Sequence, residues 1–389
     1  MPARPPSSAE SQVLFLGDCR VDGPFCHALC QVPEMFPTIE CFVMNLECAV
    51  ADSSVPRIAK SHPLVATYAE FERVLAAFHG RRCVFNLSNN HSADAGDAAG
   101  QEFIRWCGAR GVAVVDGPLT ARVDLSCGTR LGLAAGCDFS PNRALGPIGA
   151  WNWATSSRPR QQADLAVFLA HWGEEYVFYP SPRQVETARA LWSAGFQLVV
   201  GCHPHVVQGT HSQAANRAFY SLGNATLYLD CMLAGSRIGA ALRCACGPAG
   251  EFRTELLPYT VAESGAMQLL DAAGTERFRE LIQELSVAPA DAWWWRQQAA
   301  RVFFRNHLVS WRKRIQEHGL LELARMLKAF TTGPYWRLGA AWLAGIGRAT
   351  PNDQTAERLE RLAAKPATPR SPGSCCACCL ALLETGIFG

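Results

Sequence analysis

Six short apolar runs, each broken off by a polar group, constrain this chain more tightly than any other feature. VLFL (13–16) runs into Gly17-Asp18, CFVM (41–44) into Asn45-Leu46-Glu47, and CVFNL (83–87) into Asn89-Asn90-His91. LAVFLA (165–170) runs into His171, QLVV (197–200) into Cys202-His203-Pro204-His205, and AFY (218–220) into SLGN at 221–224. Runs this short and this apolar read as buried strands. The stretches between them carry helix signals. Thr67 and Glu70 fit a capping box, with Phe71, Val74, Leu75 and Phe78 at helical spacing before Gly80. Ser181, Pro182 and Gln184 open a second helix that carries Val185, Ala188, Leu191 and Trp192 and stops at Gly195. The alternation predicts an α/β domain from Val13 to about Pro258. Five of the runs deliver a candidate metal ligand at the carboxyl end, where open α/β sheets place their ligands.

The chain has 389 residues, long for one domain, so a core domain with an accessory segment is the expectation. Residues 1–11 are rich in Pro and Ser and read as disordered; 12–287 is the α/β domain. Residues 288–363 form a helical accessory region; from Trp293-Trp294-Trp295 to about Arg348 its Arg and Lys residues face only Glu317 and Glu322. A linker and a cysteine tail with CCACC at 375–379 fill 364–389, and the purpose of that tail is open. The basic region has three readings: aromatic packing on the main domain, an amphipathic element on an anionic membrane surface through 290–348, or a partner site.

An apolar share of 49% with 18% charged residues suffices for a sizeable core and excludes a disordered chain. A net charge of +2 gives no reason to expect nucleic acid. MPARPPSSAESQ has no apolar signal core, and no uninterrupted apolar run is long enough to span a bilayer. The odd count of 17 cysteines reads as reduced thiols. The expected location is cytoplasmic, or peripheral to the inner face of the membrane.

Asp18, Glu47, Asn90, His91, His171, His203 and His205 belong together chemically. Carboxylate oxygen and imidazole nitrogen suit divalent Mn, Fe or Zn. Two ions about 3.5–4 Å apart need a bridging carboxylate, which Asp18 or Glu47 could supply; such a pair activates a trapped water and clamps attacking and leaving oxygens. His91, beside the pair, can protonate a leaving group. His203-Pro204-His205 cannot share a helix face, so it reads as a loop clamp.

The stretches GD (17–18), NLE (45–47), NNHSADAG (89–96), HWGEEY (171–176), GCHPHVVQ (201–208) and YSLGN (220–224) resemble, in order and spacing, the capsule-synthesis CapA family. That family in turn resembles the calcineurin-like metallophosphoesterases. The resemblance implies a calcineurin-like sandwich, two sheets flanked by helices, here with a helical C-terminal appendage. It implies Asp18 in the first metal motif, Glu47 as the bridge, Asn90 as an amide ligand and His91 as the catalytic histidine. His171, His203 and His205 complete the implied metal set. One departure stands out: the phosphoesterases carry a histidine two residues after the first aspartate, and this chain has Arg20. That leaves one ion or two open and offers Arg20 to an anionic substrate. Cys202 replaces a further histidine and reads as a spare ligand or as packing.

Around these residues, Asp94 reads as orienting His91 or as capping the next helix. Glu174, Glu175 and Tyr176 line a substrate cleft or coat a loop; Lys60, Ser61 and His62 contact substrate or sit in a solvated loop. Asn224 is a candidate substrate contact, or fixes the turn beside the site. The functional expectation is a metal-dependent hydrolase of the phosphoesterase type, acting on a cell-envelope polymer or its precursor such as capsule or poly-γ-glutamate. The alternative is a non-catalytic subunit of a membrane synthase or export complex with a degenerate site.

Overall fold

In the computed structural model VLFL lies within a strand whose side chains alternate between two cores. Val13 and Phe15 pack with Leu131, Leu133, Val167, Leu169, Leu198 and Val200 between two sheets. Leu14 and Leu16 pack with Phe71, Val74 and Phe103 beneath helices. A strand with both faces covered reads as an unbroken apolar run, which is why these segments show no polar alternation. The structure describes residues 10–52, 63–117, 121–138, 163–228, 235–287, 291–300, 302 and 351–363.

In chain order the strands are β1 (Ser11–Cys19), β2 (Cys41–Leu46), β3 (Ala49–Val50), β4 (Val65–Ala66), β5 (Arg82–Asn86), β6 (Ala113–Val115), β7 (Ala121–Asp124), β8 (Arg130–Cys137), β9 (Leu165–His171), β10 (Leu198–Cys202), β11 (Thr210–Gln213), β12 (Asn216–Phe219), β13 (Ile238–Cys246), β14 (Phe252–Val261) and β15 (Met267–Leu269). The first sheet has the order β15-β14-β13-β1-β2-β5-β6 and the second β11-β12-β10-β9-β8-β7, with β3 and β4 paired apart. β1, β2, β5 and β6 run parallel, as do β8, β9, β10 and β12.

The helices are α1 (Pro24–Cys30), α2 (Val32–Met35), α3 (Tyr68–Ala77), α4 (Asp97–Ala109), α5 (Pro182–Ala194), α6 (Ala272–Ser286), α7 (292–300) and α8 (Pro351–Ala363). Both predicted capping boxes form: Thr67 with Glu70 opens α3, and Ser181 with Gln184 opens α5. Gly195 closes α5 at φ 104, a left-handed position that suits glycine. α5 covers the outer face of the second sheet through Ala188, Leu191 and Trp192. The expected architecture, two sheets flanked by helices, is therefore present. Of the C-terminal region, α7 and α8 pack on α6 and on Val206, Val207 and Ile238. Lys60, Ser61 and His62, most of 290–348 and the CCACC tail lie outside the described residues. Among the described residues no helix is long and apolar enough to cross a membrane.

A β-bulge brings the first acidic residue to the site. Leu16 pairs with Met44, but Asp18 pairs with Asn45, so Gly17 is the extra residue. Without the bulge Asp18 would follow Leu14 and Leu16 toward the helices. With it, Asp18 joins the face of Val13 and Phe15, toward the second sheet.

A further buried carboxyl ends the outermost strand of the first sheet. Asp116, just after β6, is 3% exposed beside a cavity of about 20 Å³, and its Oδ1 has no hydrogen-bond partner among the described residues. Burial pushes it from 3.8 up to about 6. An acid raised in the folded state costs nothing below its unfolded value and its full penalty above its folded one. Asp116→Asn is therefore expected to stabilise the protein at pH 8 by about 2–3 kcal/mol and hardly at pH 3.5. Urea unfolding at both pH values checks this; an equal effect at both would contradict it.

Candidate metal centre

The carboxyl ends of the two sheets meet where β1 approaches the turn after β12. Asp18 N–H donates to the Gly223 carbonyl at 3.1 Å, and Ala225 N–H donates to the Asp18 carbonyl at 2.9 Å. From the first sheet come Asp18 and Glu47; from the second come His171 at the end of β9 and the pair after β10. Glu47, His203 and His205 form one donor set, and Asp18, Glu47 and His171 another; within each, the ligand atoms lie within 4.8 Å of one another. Glu47 belongs to both sets. Asp18, Glu47 and His171 are 0% exposed, His203 4% and His205 5%, so this charge is cut off from bulk water.

Each group is held. Asn45 Nδ2 donates to Asp18 Oδ1 at 2.7 Å and lies 3.3 Å from His171 Nδ1. His171 Nε2 is 2.9 Å from Asn90 Oδ1 and 3.7 Å from Glu47 Oε1. His205 Nδ1 is 3.0 Å from Asn224 Oδ1 and 3.2 Å from Asp18 Oδ2, with Nε2 3.7 Å from Glu47 Oε1. His203 N–H donates to both Asp18 oxygens, at 3.3 and 3.2 Å. His203-Pro204-His205 lies in a loop and not on a helix: His203 has φ 95 and His205 φ 56. Non-glycine residues there cost about 1–3 kcal/mol each and persist where their surroundings hold them.

The electrostatics follow from burial and neighbours. Burial pushes His203 well below the ordinary histidine range, and the nearby His171 adds to this. Burial also works against a charged His205, but its hydrogen bond to Asp18 and the Asp18 charge outweigh it and raise the group. For Asp18, burial alone would raise the carboxyl; the His205 hydrogen bond and the His205 and His171 charges hold it well below the usual carboxylate range. Burial raises the Cys202 thiol, with the Asp18 charge acting the same way. Two buried carboxylates among three imidazoles call for compensating positive charge, and oxygen with nitrogen donors is the chemistry divalent Mn, Fe or Zn prefers. The residues present fit such an ion.

Other expected residues fall as follows. Asp94 orients His91: Nδ1 lies 2.6 Å from Asp94 Oδ2, which also accepts from Leu64 N–H at 2.8 Å. It does not cap α4, whose N-cap position is Gly96 with no side-chain cap bond. Asn224 is corrected from substrate contact to support: it is 0% exposed, and its Nδ2 donates to the His205 and Ser236 carbonyls. Arg20 is likewise corrected. Its guanidinium pairs with Asp22, donates to the Tyr228 carbonyl at 3.1 Å and stacks over Phe25 at 4.2 Å, so its charge is already matched. Glu174 is exposed and borders a cleft of about 330 Å³ shared with Asp138, Arg183, Trp295 and Arg296.

Sequence reasoning missed a layer of buried amides. Asn45 Oδ1 accepts from Asn86 Nδ2 at 3.0 Å, and Asn89 Nδ2 donates to the Leu46 carbonyl at 2.8 Å while its Oδ1 accepts from His91 N–H at 3.0 Å. The available signal was three asparagines at two adjacent strand ends, Asn45 on β2 and Asn86 and Asn89 at the end of β5.

Known proteins match part of this arrangement. Residues 153–227 match the family model described as bacterial capsule synthesis protein PGA_cap. The capsule biosynthesis protein CapA of Bacillus anthracis is 52% identical over 62 residues, 16% of this chain and 15% of that protein. The PGA biosynthesis protein CapA of Bacillus subtilis (strain 168) is 43% identical over 68 residues, 18% of each chain. The matched stretch thus spans less than a fifth of the length of these relatives. Among solved structures, a novel phosphatase from Mycoplasma pneumoniae aligns with TM-score 0.43 and 9% identity, over 65% of this chain and 95% of that one. A hypothetical protein from Thermus thermophilus aligns with TM-score 0.44 and 12% identity, over 64% and 99%. Residues 153–227, which include His171, His203 and His205, are thus similar to the bacterial capsule synthesis family, the resemblance that the motifs imply.

Proposed function

We propose that this chain is a metal-dependent hydrolase of the phosphoesterase type that acts in making a cell-envelope polymer such as capsule or poly-γ-glutamate. One observation carries the reading: two buried carboxylates and three imidazoles, drawn from two sheets, lie around the shared Glu47. Asp18, Glu47, His171, His203 and His205, with the Asn90 amide oxygen, would hold one or two Mn, Fe or Zn ions. A bound ion supplies Lewis-acid polarisation and lowers the pKa of a nearby water. The protein supplies the rest. Asp94 fixes His91 through Nδ1, so Nε2 is the atom that hands a proton to the leaving oxygen. The buried donors are shielded from bulk water, and Glu174, three residues after His171, borders a separate cleft that we assign to the polymer.

The second reading is a non-catalytic subunit of a membrane synthase or export complex. The engagement of Arg20 with Asp22, where phosphoesterases have a ligand, favours it. One experiment separates the two. Metal content is measured on the purified protein, and hydrolysis of a chromogenic phosphodiester is followed before and after His203→Ala. Stoichiometric Mn, Fe or Zn, with turnover reduced at least a hundredfold by the substitution, supports the hydrolase. Metal-free, inactive protein supports the subunit.

A further inference from the structure

The last described helix, α8, reaches back to the segment that follows His171. Asn352 is 2% exposed, and its side-chain amide bonds the main chain of that segment twice. Oδ1 accepts from Phe178 N–H at 2.9 Å, and Nδ2 donates to the Tyr176 carbonyl at 3.1 Å. One side chain thus makes the two bonds a neighbouring strand would make. Asn352 N–H donates to Oε1 of the buried Gln298 on α7 at 3.3 Å, which ties both C-terminal helices to the same point. The connection continues inward. Tyr176 N–H donates at 2.8 Å to the carbonyl of Pro204, the residue between His203 and His205. The Tyr176 ring lies 6.0 Å from the His205 ring. Tyr176, with φ 61, takes a left-handed conformation, as do His203 and His205. Three such residues around one loop need to be held from outside. Gln208 holds the segment from the sheet side, its Nε2 donating to the Val177 carbonyl at 2.7 Å. The helix side is held by Asn352.

We propose that Asn352 is a positioning residue of the metal centre: it clamps Tyr176–Phe178, and through the Tyr176–Pro204 bond it sets the aim of His203 and His205. The C-terminal helices are then part of the site rather than an appendage. This rests on reading the cluster as a cation site. Groups that orient metal ligands from behind typically contribute 10–100-fold to affinity.

The test uses the full chain with Asn352→Leu, which keeps bulk and loses both bonds, and Asn352→Asp, which keeps the acceptor for Phe178 N–H and loses the donor. Leu359→Ala, a core change on the same helix, is the control for stability alone. Mn²⁺ affinity is measured by titration calorimetry, and hydrogen exchange is followed at the Tyr176 and Phe178 amides. Asn352→Leu is expected to weaken Mn²⁺ about tenfold and to speed exchange at both amides at least tenfold. Asn352→Asp is expected to speed exchange at Tyr176 more than at Phe178. Leu359→Ala is expected to lower the melting temperature with neither effect. Unchanged affinity and exchange in Asn352→Leu, or both effects reproduced by Leu359→Ala, overturns the proposal. Should the unmodified protein take up no Mn²⁺, the cation reading falls, and exchange in Asn352→Leu alone decides whether the clamp exists.

Discussion

Glu47→Gln is expected to raise the melting temperature of the cation-free protein while abolishing the further rise that Mn²⁺ or Zn²⁺ gives the unmodified chain. The Glu47 and Asp18 carboxylate oxygens lie within 4.8 Å of each other, and both residues are 0% exposed. Two buried carboxyls held so close can both ionise only at a cost that a cation removes. Glutamine keeps the shape and removes one ionisable group, so the empty protein gains. It also weakens the one donor common to both sets, so the loaded protein loses. A cation at a hundred times its dissociation constant contributes about 2.7 kcal/mol, or about 5–10 °C for a domain of this size. Thermal melts with and without the ion check both signs. A variant that melts lower when empty, or keeps the full ion-dependent rise, contradicts the assignment.

Gly17→Ala is expected to cost about 3–5 kcal/mol, a loss at the extreme for one methyl group. A Cβ at Gly17 would sit 1.8 Å from the Gly223 carbonyl oxygen and 2.9 Å from its carbon. Both partners are main chain, so no side chain can swing aside. The contact cannot relax without separating β1 from the turn that carries Asn224, and that turn supports His205. Gly108→Ala in α4 is the control, because nothing lies within 4 Å of a Cβ there; the helix should gain about 0.5–1 kcal/mol. Urea midpoints of both variants decide the matter. Gly17→Ala as stable as the unmodified protein would show that the close approach is not required.

Much of this was legible in the residues because the signals were local. The capping boxes at Thr67 and Ser181 and the αL stop at Gly195 depend only on side chains three or four positions apart. The apolar runs mark strands because each is covered on both faces. What stayed hidden depends on register between distant segments. The bulge at Gly17 exists only in relation to β2, so the face that Asp18 takes cannot be read from β1 alone. Asn45 looks like any polar residue at a strand end until Asp18 and His171 arrive on either side of it. Arg20 looks available for substrate in the sequence, yet Asp22, two residues along a chain leaving a strand, lies within easy reach and pairs with it. Asn352 carries no signal of its own in a polar helix; its meaning comes from two main-chain groups far away in the sequence.

The donors are divided between the two leaves of the sandwich, and this sets what any fragment can do. The first sheet brings acids and the second brings imidazoles, and each donor set draws on both. The stretch shared with the capsule proteins, 153–227, holds His171, His203 and His205 but neither Asp18 nor Glu47. An ion seated here would rivet the leaves together, and neither donor set is complete until both have closed on each other.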